Sequence, residues 1–292
     1  MTRSTSDRLY EFVPVLRGYW LTRHTVRVIE SALAEGRESV KVTLDLGLST
    51  SVISLEGGAV RFPGGEELGL DELRGMREGF IYYFDGRCLK VLALSEGGRY
   101  YKLRPVGPDT APTLEISGIH MHNIAGTTPI KDARRKVRLA GVRAGDRVLD
   151  ICTGLGYTAI LSRKIGAKVL SVEKDPNVLM MARYNPWSRG LVDVNIILGD
   201  AAEVVEYVDG PFDRIIHDPP RFALAGELYG YEFYSKLYRV LRPGGILFHY
   251  TGYPGKRRGV DVQRGVATRL RRSGFEVVRV IRGYCIVARK TL

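Results

Sequence analysis

The stretch that decides the fold is "VLDICTGLGYTAI", residues 148–160. Three apolar residues and an acid lead into a turn carrying Gly154 and Gly156, and a helical pattern follows. Glycine lets the backbone turn sharply and approach a ligand without a Cβ in the way. A strand that runs through such a turn into a helix is the opening unit of an open α/β sheet. The residues further along repeat the theme. "AKVLSVE", "VNIILGD", "DRIIHD" and "GILFHY" are short apolar runs of the kind buried in parallel sheets. Helical stretches such as "PNVLMMARYN" and "ELYGYEFYSKLYRVL" separate them. Asp175 followed by Pro176 gives an N-cap with proline at the first helical position. The chain closes with "VQRGVATRLRRSG" as a helix and with "FEVVRVIR" and "YCIVARK" as an antiparallel pair around Gly283. Alternating strands and helices predict a doubly wound, Rossmann-like sheet.

An acid ends each of the first four predicted strands: Asp150, Glu173, Asp200 and Asp218. Ligands of open α/β sheets bind outside the carboxyl ends of the strands. Gly154-x-Gly156-x-x-Ala159 also fits the dinucleotide fingerprint, a weak signal alone. Asp150 would repel a diphosphate but suits the ammonium of a methionine moiety, so the acids favour S-adenosyl-L-methionine over a nicotinamide cofactor. Glu173 can accept bonds from ribose hydroxyls, and Asp200 can reach an adenine amine. The plainer alternative, that these acids merely cap the helices that follow, fits any one of them better than it fits the ordered set.

"DICTGLGYTAI", "VEKDPNVL", "NPWSR", "HDPPRF", "GELY", "EFY" and "LFHYTGYPG" together resemble an archaeal family of class I S-adenosylmethionine-dependent methyltransferases, over about residues 126–292. The resemblance implies a seven-stranded sheet. It places cofactor contacts on Asp150, Gly154, Gly156, Glu173, Asp200 and Ala201, with Thr153, Tyr157 and Lys174 beside them. "IAGTTPIKDARRK" (124–136) would close over the methionine end through Thr127, Thr128 or Lys131. In amino-group methyltransferases an Asp/Asn/Ser-Pro-Pro-aromatic motif follows the fourth strand, and Asp218, Pro219 and Pro220 stand there. An exocyclic base amine is a poor nucleophile because its lone pair is delocalised into the ring. The Asp218 carboxylate and the Pro219 carbonyl can accept its two N–H bonds and aim the lone pair at the methyl group. The aromatic position holds Arg221, and Phe222 comes next. Either side chain can stack on a base. Without the upstream acids, the motif would read as a rigid strand-to-loop corner.

Other residues say less. His217 and His249 lie inside predicted strands, as core or supporting side chains. His120 and His122 would share a strand face without a third ligand, so no metal is expected. Tyr229, Tyr231, Phe233, Tyr234 and Tyr238 decorate one predicted helix, with Tyr229 near a substrate pocket. "GYPGKRRG" (252–259) is a Gly-rich basic loop suited to phosphate.

The first 125 residues differ in texture. "TVRVIESALAEG" (25–36) reads as a short helix. Six segments rich in β-branched and aromatic residues follow, from "SVKVTLDL" to "RYYKLRPV", punctuated by glycine turns. Residues 1–125 are therefore expected to form a β-rich domain that selects the substrate, and 126–292 the catalytic domain. "RPVGPDTAPT" (104–113) would link them.

The chain has 292 residues and a net charge of +12. Residues 251–292 hold eleven Lys or Arg against two acids, and "KDARRKVR" (131–138) forms a second basic cluster. Clustered positive charge points to a polyanion, most readily RNA. No run of ~18 apolar residues is present, so no membrane span is expected. The start lacks the apolar core of a signal peptide, and three scattered cysteines suit a reducing cytoplasm. The expectation is an RNA base N-methyltransferase acting on cytidine N4 in ribosomal RNA, with guanosine N2 or adenosine N6 of tRNA or rRNA as alternatives. Group transfer to a polyamine is the competing class, but it would call for an acidic pocket. A non-catalytic RNA-binding module would have no need of the acids. Oligomeric state is not legible.

Overall fold

The computed structural model describes residues 8–252 and 262–291. The chain folds as two units. One contains Pro14–Asp132 and Met180–Arg189; the rest of the described chain forms the other.

The larger unit is built on one sheet of eight strands: β1 (Leu9–Tyr10), β2 (Arg147–Ile151), β3 (Lys168–Glu173), β4 (Asn195–Leu198), β5 (Phe212–His217), β6 (Leu241–Tyr250), β7 (Phe275–Ile281) and β8 (Cys285–Lys290). Their order is β1-β4-β3-β2-β5-β6-β8-β7. Strands β2 to β6 run parallel, and β8 is antiparallel to both β6 and β7. The seven expected strands are joined by an eighth, β1, which pairs antiparallel with β4 through Leu9↔Ile197 and Tyr10↔Ile196. Two residues carry too little pattern to be read as a strand.

The apolar runs are continuous because both sheet faces are covered. Val148, Leu149, Ile151, Ile215, Ile216, Leu247 and Phe248 are fully buried. Each such side chain stabilises the fold by about 1.5–3 kcal/mol before the entropy of ordering is counted. Helices α1 (Pro129–Ala140), α2 (Tyr157–Lys164), α3 (Pro176–Arg183), α4 (Ala201–Tyr207), α5 (Tyr231–Val240) and α6 (Val262–Arg272) alternate with the strands. The expected aromatic helix is interrupted. Gly230, in extended conformation, caps α5 and separates it from a short 3-10 turn, Gly226–Tyr229.

The smaller unit is β-rich. A helix at Arg23–Ala34 starts two residues before the expected one because Thr22 and Thr25 form a reciprocal cap. The unit's described residues form three small antiparallel sheets, two of which pack with the helix around a core that includes Leu21, Ile29, Ile53, Val60, Leu73 and Phe84. The proline-rich stretch near 104–113 is no interdomain linker: it joins Arg99–Arg104 to Thr113–Ile116, which pair within one sheet. The units also depart from a boundary at 125. The division falls inside α1, after Asp132, and Met180–Arg189 belongs with the smaller unit. There Trp20 Nε1 donates to the Tyr184 carbonyl at 2.5 Å and Trp187 Nε1 to that of Leu46 at 3.0 Å. "NPWSR" is thus part of this packing.

Candidate active site

The strand order reverses between β2 and β5, and the crevice at such a switch point is where open α/β sheets bind ligands. Asp150 lies near the end of β2 and Asp218 just after β5. The Asp218 amide donates to the Ile151 carbonyl at 3.3 Å, which ties the two strand ends together.

Asp150 is 1% exposed. Its carboxylate accepts bonds from Thr158 Oγ1 (2.7 Å) and Ser171 Oγ (2.8 Å). Burial pushes its carboxyl up to about 7, against the pull of these two hydroxyls. Thr153 also bonds Ser171, at 2.6 Å between hydroxyl oxygens. Thr158 and Ser171 are site residues that the sequence alone does not announce. Their signal is faint: two small hydroxyl residues facing an acid across neighbouring apolar elements.

The turn after β2 is left-handed at Cys152 (φ 70°), Gly154 (φ 56°) and Gly156 (φ 79°). A Cβ on Gly156 would lie 2.5 Å from Leu191, so this glycine is required by packing as well as conformation. Tyr157, the first residue of α2, is buried. Glu173 closes β3 with its carboxylate accepting the amides of Gly154 (2.9 Å), Lys174 (3.0 Å) and Asp175 (3.0 Å). Burial raises its carboxyl against these three donors. Asp200 caps α4 through the Ala202 amide (2.8 Å) and pairs with Lys174 Nζ at 2.6 Å. Burial pushes its carboxyl up, but Lys174 and Ala202 outweigh that and hold it below the ordinary range. Ala201 is the buried first residue of α4. Asp200 is therefore a helix cap as well as a member of the acid series.

Thr128 caps α1 through the Lys131 amide (3.4 Å) and belongs to the smaller unit. His120 bonds Glu115 and His122 bonds Thr113, also in that unit. Among the described residues no His, Cys, Asp and Glu group is placed to hold a metal ion. "GYPGKRRG" falls almost wholly outside the described residues.

The segment after β5 is braced from several sides. Lys136 Nζ donates to Asp218 Oδ2 at 2.5 Å. Pro219 is buried, and the Tyr229 hydroxyl donates to the Pro220 carbonyl at 2.8 Å. Arg221 is exposed. Phe222 is 49% exposed and meets the Tyr229 ring edge-on at 5.4 Å. Tyr229 itself is buried beneath it. His217 and His249 are fully buried with ring centroids 4.4 Å apart. His217 Nε2 donates to the Leu228 carbonyl at 2.9 Å, and His249 Nε2 meets the Tyr234 hydroxyl at 2.9 Å. Burial pushes His217 down to about 4 and also lowers His249, so both are neutral supports.

Lys136 is a site residue hidden in the sequence by the basic cluster around it. Yet Ala133, Val137 and Ala140 mark the buried face of α1, and Lys136 lies on that face.

Residues 148–245 match the family model described as "Methyltransferase domain". An uncharacterized protein of Methanocaldococcus jannaschii is 44% identical over 278 residues, 91% of this chain and 94% of that protein. The chain belongs to one family with that protein and is an S-adenosylmethionine-dependent methyltransferase. The tRNA (guanine(10)-N2)-dimethyltransferase of Methanothermobacter thermautotrophicus is 31% identical over 168 residues, 53% of this methyltransferase. The chain spans only 49% of that relative's length. The spermidine synthase of Thermotoga maritima has the same fold, with a TM-score of 0.53 and 19% identity over 74% of this chain and 80% of its own. The site suits the methyl donor of this family. Acids at successive strand ends match a cationic, hydroxyl-bearing ligand, and a left-handed turn brings backbone close to it. No helix among the described residues is long and apolar enough to cross a membrane.

Proposed function

We propose that this methyltransferase modifies an exocyclic amine of an RNA base, with Asp218 as the residue that receives the amine. The observation that carries this reading is the construction of the Asp218-Pro219-Pro220 segment at the switch point. Its carboxylate is anchored by Lys136 at 2.5 Å, and its backbone is braced by Tyr229 at the Pro220 carbonyl. A group held this firmly can accept an N–H bond in one fixed direction, and direction is most of what an amine methylation requires. The Pro219 carbonyl would accept the second N–H. S-adenosyl-L-methionine supplies an electrophilic methyl group when bound. Asp150 would face its ammonium and Glu173 its ribose hydroxyls. Asp200 and Ala201 would border the adenine, and Thr153, Gly154, Gly156, Tyr157 and Lys174 would line the turn around it. After transfer the amine proton can pass to Asp218.

Phe222 is the better stacking residue, because half of its surface is open and Tyr229 fixes its ring. Exposed Arg221 would then serve a phosphate. The net charge of +12 supports a polyanionic substrate, three free cysteines suit a cytoplasmic setting, and the β-rich unit would select the RNA. We assign cytidine N4 of ribosomal RNA as the target. Guanosine N2 of tRNA is the second reading, favoured by the name of the 31% identical relative.

Asp218→Ala tests the assignment. Methyl transfer should fall by roughly 10³-fold while S-adenosylhomocysteine binding, followed by calorimetry, stays within a few-fold. Undiminished transfer would exclude the role given to Asp218. Mass spectrometry of nucleosides from rRNA and tRNA, with and without the gene, separates the two targets. Loss of N4-methylated cytidine supports the first and loss of N2-methylated guanosine the second; an unchanged profile excludes both.

A further inference from the structure

We infer that Lys136 is a positioning residue for Asp218: its buried ammonium holds the carboxylate from behind, as an anion, with its outer side presented to the substrate amine. The inference rests on the base-amine reading above and deepens it.

Burying an ammonium costs several kcal/mol unless it is paired and hydrogen-bonded. Lys136 is 2% exposed on the apolar face of α1. Two of its contacts help to offset that cost. One is the 2.5 Å bond to Asp218 Oδ2. The other is the face of the Tyr250 ring, whose centroid lies 4.2 Å from Nζ. Tyr250 is itself fixed, edge-on to Tyr284 at 5.4 Å, while the Arg135 guanidinium covers Tyr284 at 4.0 Å. The ammonium therefore sits in a defined place.

The pair is polarised. The Lys136 side chain is 3% exposed and that of Asp218 19%. The cation is inside and the carboxylate reaches outward, an arrangement that a purely structural ion pair does not need. Titratable groups around Asp218 include Lys136 from α1, Asp150 and Cys152 at the end of β2 and Tyr229 from the 3-10 turn, while Tyr250 from β6 faces Lys136. Asp150 feels Asp218 as a like charge and Lys136 as an opposite one. Without the ammonium, Asp218 would stand beside a second acid in a poorly hydrated crevice and take up a proton more readily. A protonated carboxyl could then donate to the amine where acceptance is needed. Lys136 thus sets both direction and charge of the group that meets the substrate.

The test uses the full chain with Lys136→Met, Lys136→Arg, Asp218→Asn and the Met/Asn double variant. Their folding is checked by circular dichroism. The substrate is total RNA from cells lacking the gene. Lys136→Met should lower kcat about 100-fold, move the acid limb of the pH–rate profile up by about one unit or more, and leave S-adenosylhomocysteine affinity within about threefold. Lys136→Arg should recover part of the loss. In an Asp218→Asn background, removing Lys136 should add little. A readout independent of turnover is the carboxyl titration of Asp218, followed by ¹³C NMR of labelled aspartate. Its midpoint should rise in Lys136→Met and return toward wild type in Lys136→Arg. An unmoved midpoint overturns the inference, as does an unmoved pH profile. If the wild type methylates no RNA yet the midpoint moves as stated, the RNA reading fails and the Lys136–Asp218 coupling stands. If RNA is methylated and Lys136→Met behaves as wild type, the coupling fails and the RNA reading stands.

Discussion

Cys152 occupies a left-handed position, φ 70°, where its Cβ crowds the backbone at a cost of about 1–2 kcal/mol. It is held there because its amide and that of Thr153 both donate to the Val172 carbonyl at 3.0 Å. Burial pushes its thiol well up, with Glu173 the largest of the nearby carboxylate contributions, so it is an unreactive group. Cys152→Gly should therefore raise unfolding stability by about 1 kcal/mol in urea titration, since relief of strain exceeds the added chain entropy. A loss of stability would mean that thiol packing outweighs the strain. Asp150 and Asp218 were legible because an acid at the end of an apolar run has few purposes. Thr158, Ser171 and Lys136 were not, because their roles depend on which elements the fold brings together. A lysine between two arginines, as in "ARRKVR", looks like solvated charge until helical phase puts it inward.

At the scale of the element, the turn between β2 and α2 contains two glycines that differ in what they tolerate. A Cβ added to Gly154 would meet only the Cys152 carbonyl, at 4.0 Å, whereas one on Gly156 would strike Leu191 at 2.5 Å. Gly154→Ala should cost about 1 kcal/mol, from its left-handed φ alone. Gly156→Ala should cost a further 1–3 kcal/mol or so from overpacking. It should also displace the start of α2 and weaken S-adenosylhomocysteine binding, measured by calorimetry, far more than Gly154→Ala does. Equal effects would show that the Leu191 contact relaxes freely. The fingerprint spacing identified both glycines but could not rank them, because Leu191 lies 35 positions along the chain from Gly156. The core strands were legible from their apolar runs. The break at Gly230 was not, because the aromatic periodicity carries across it.

At the scale of the molecule, two buried groups give stability opposite dependences on pH. His217 has a folded pKa of about 4, below the 6.5 of a free histidine. Its contribution is complete above pH 6.5 and is lost as pH falls through 4. Asp150 is raised from 3.8 to about 7, so its contribution is complete below pH 3.8 and is lost as pH rises through 7. The two partly cancel in the wild type. In Asp150→Asn that opposition is removed, and unfolding free energy should fall more steeply between pH 7 and 5 than in the wild type, His217 alone contributing about 2 kcal/mol, with His249 acting in the sense of His217 and Glu173 in the sense of Asp150. Denaturant titrations at both pH values check this; a drop no steeper than in the wild type counts against it. The two textures of the sequence were legible, but the path of the chain between units was not, since Leu9–Tyr10 and Met180–Arg189 are too short to announce a unit of their own. That path has a consequence for synthesis. The smaller unit receives an indole hydrogen bond at the Tyr184 carbonyl, and its Leu46 carbonyl is met by Trp187. A nascent chain emerging from the ribosome cannot complete this unit until residue 189 has cleared the exit tunnel. The smaller unit still finishes before the larger, which waits for strands as late as Lys290, and neither can be moved by a single cut into another protein as a self-sufficient cassette.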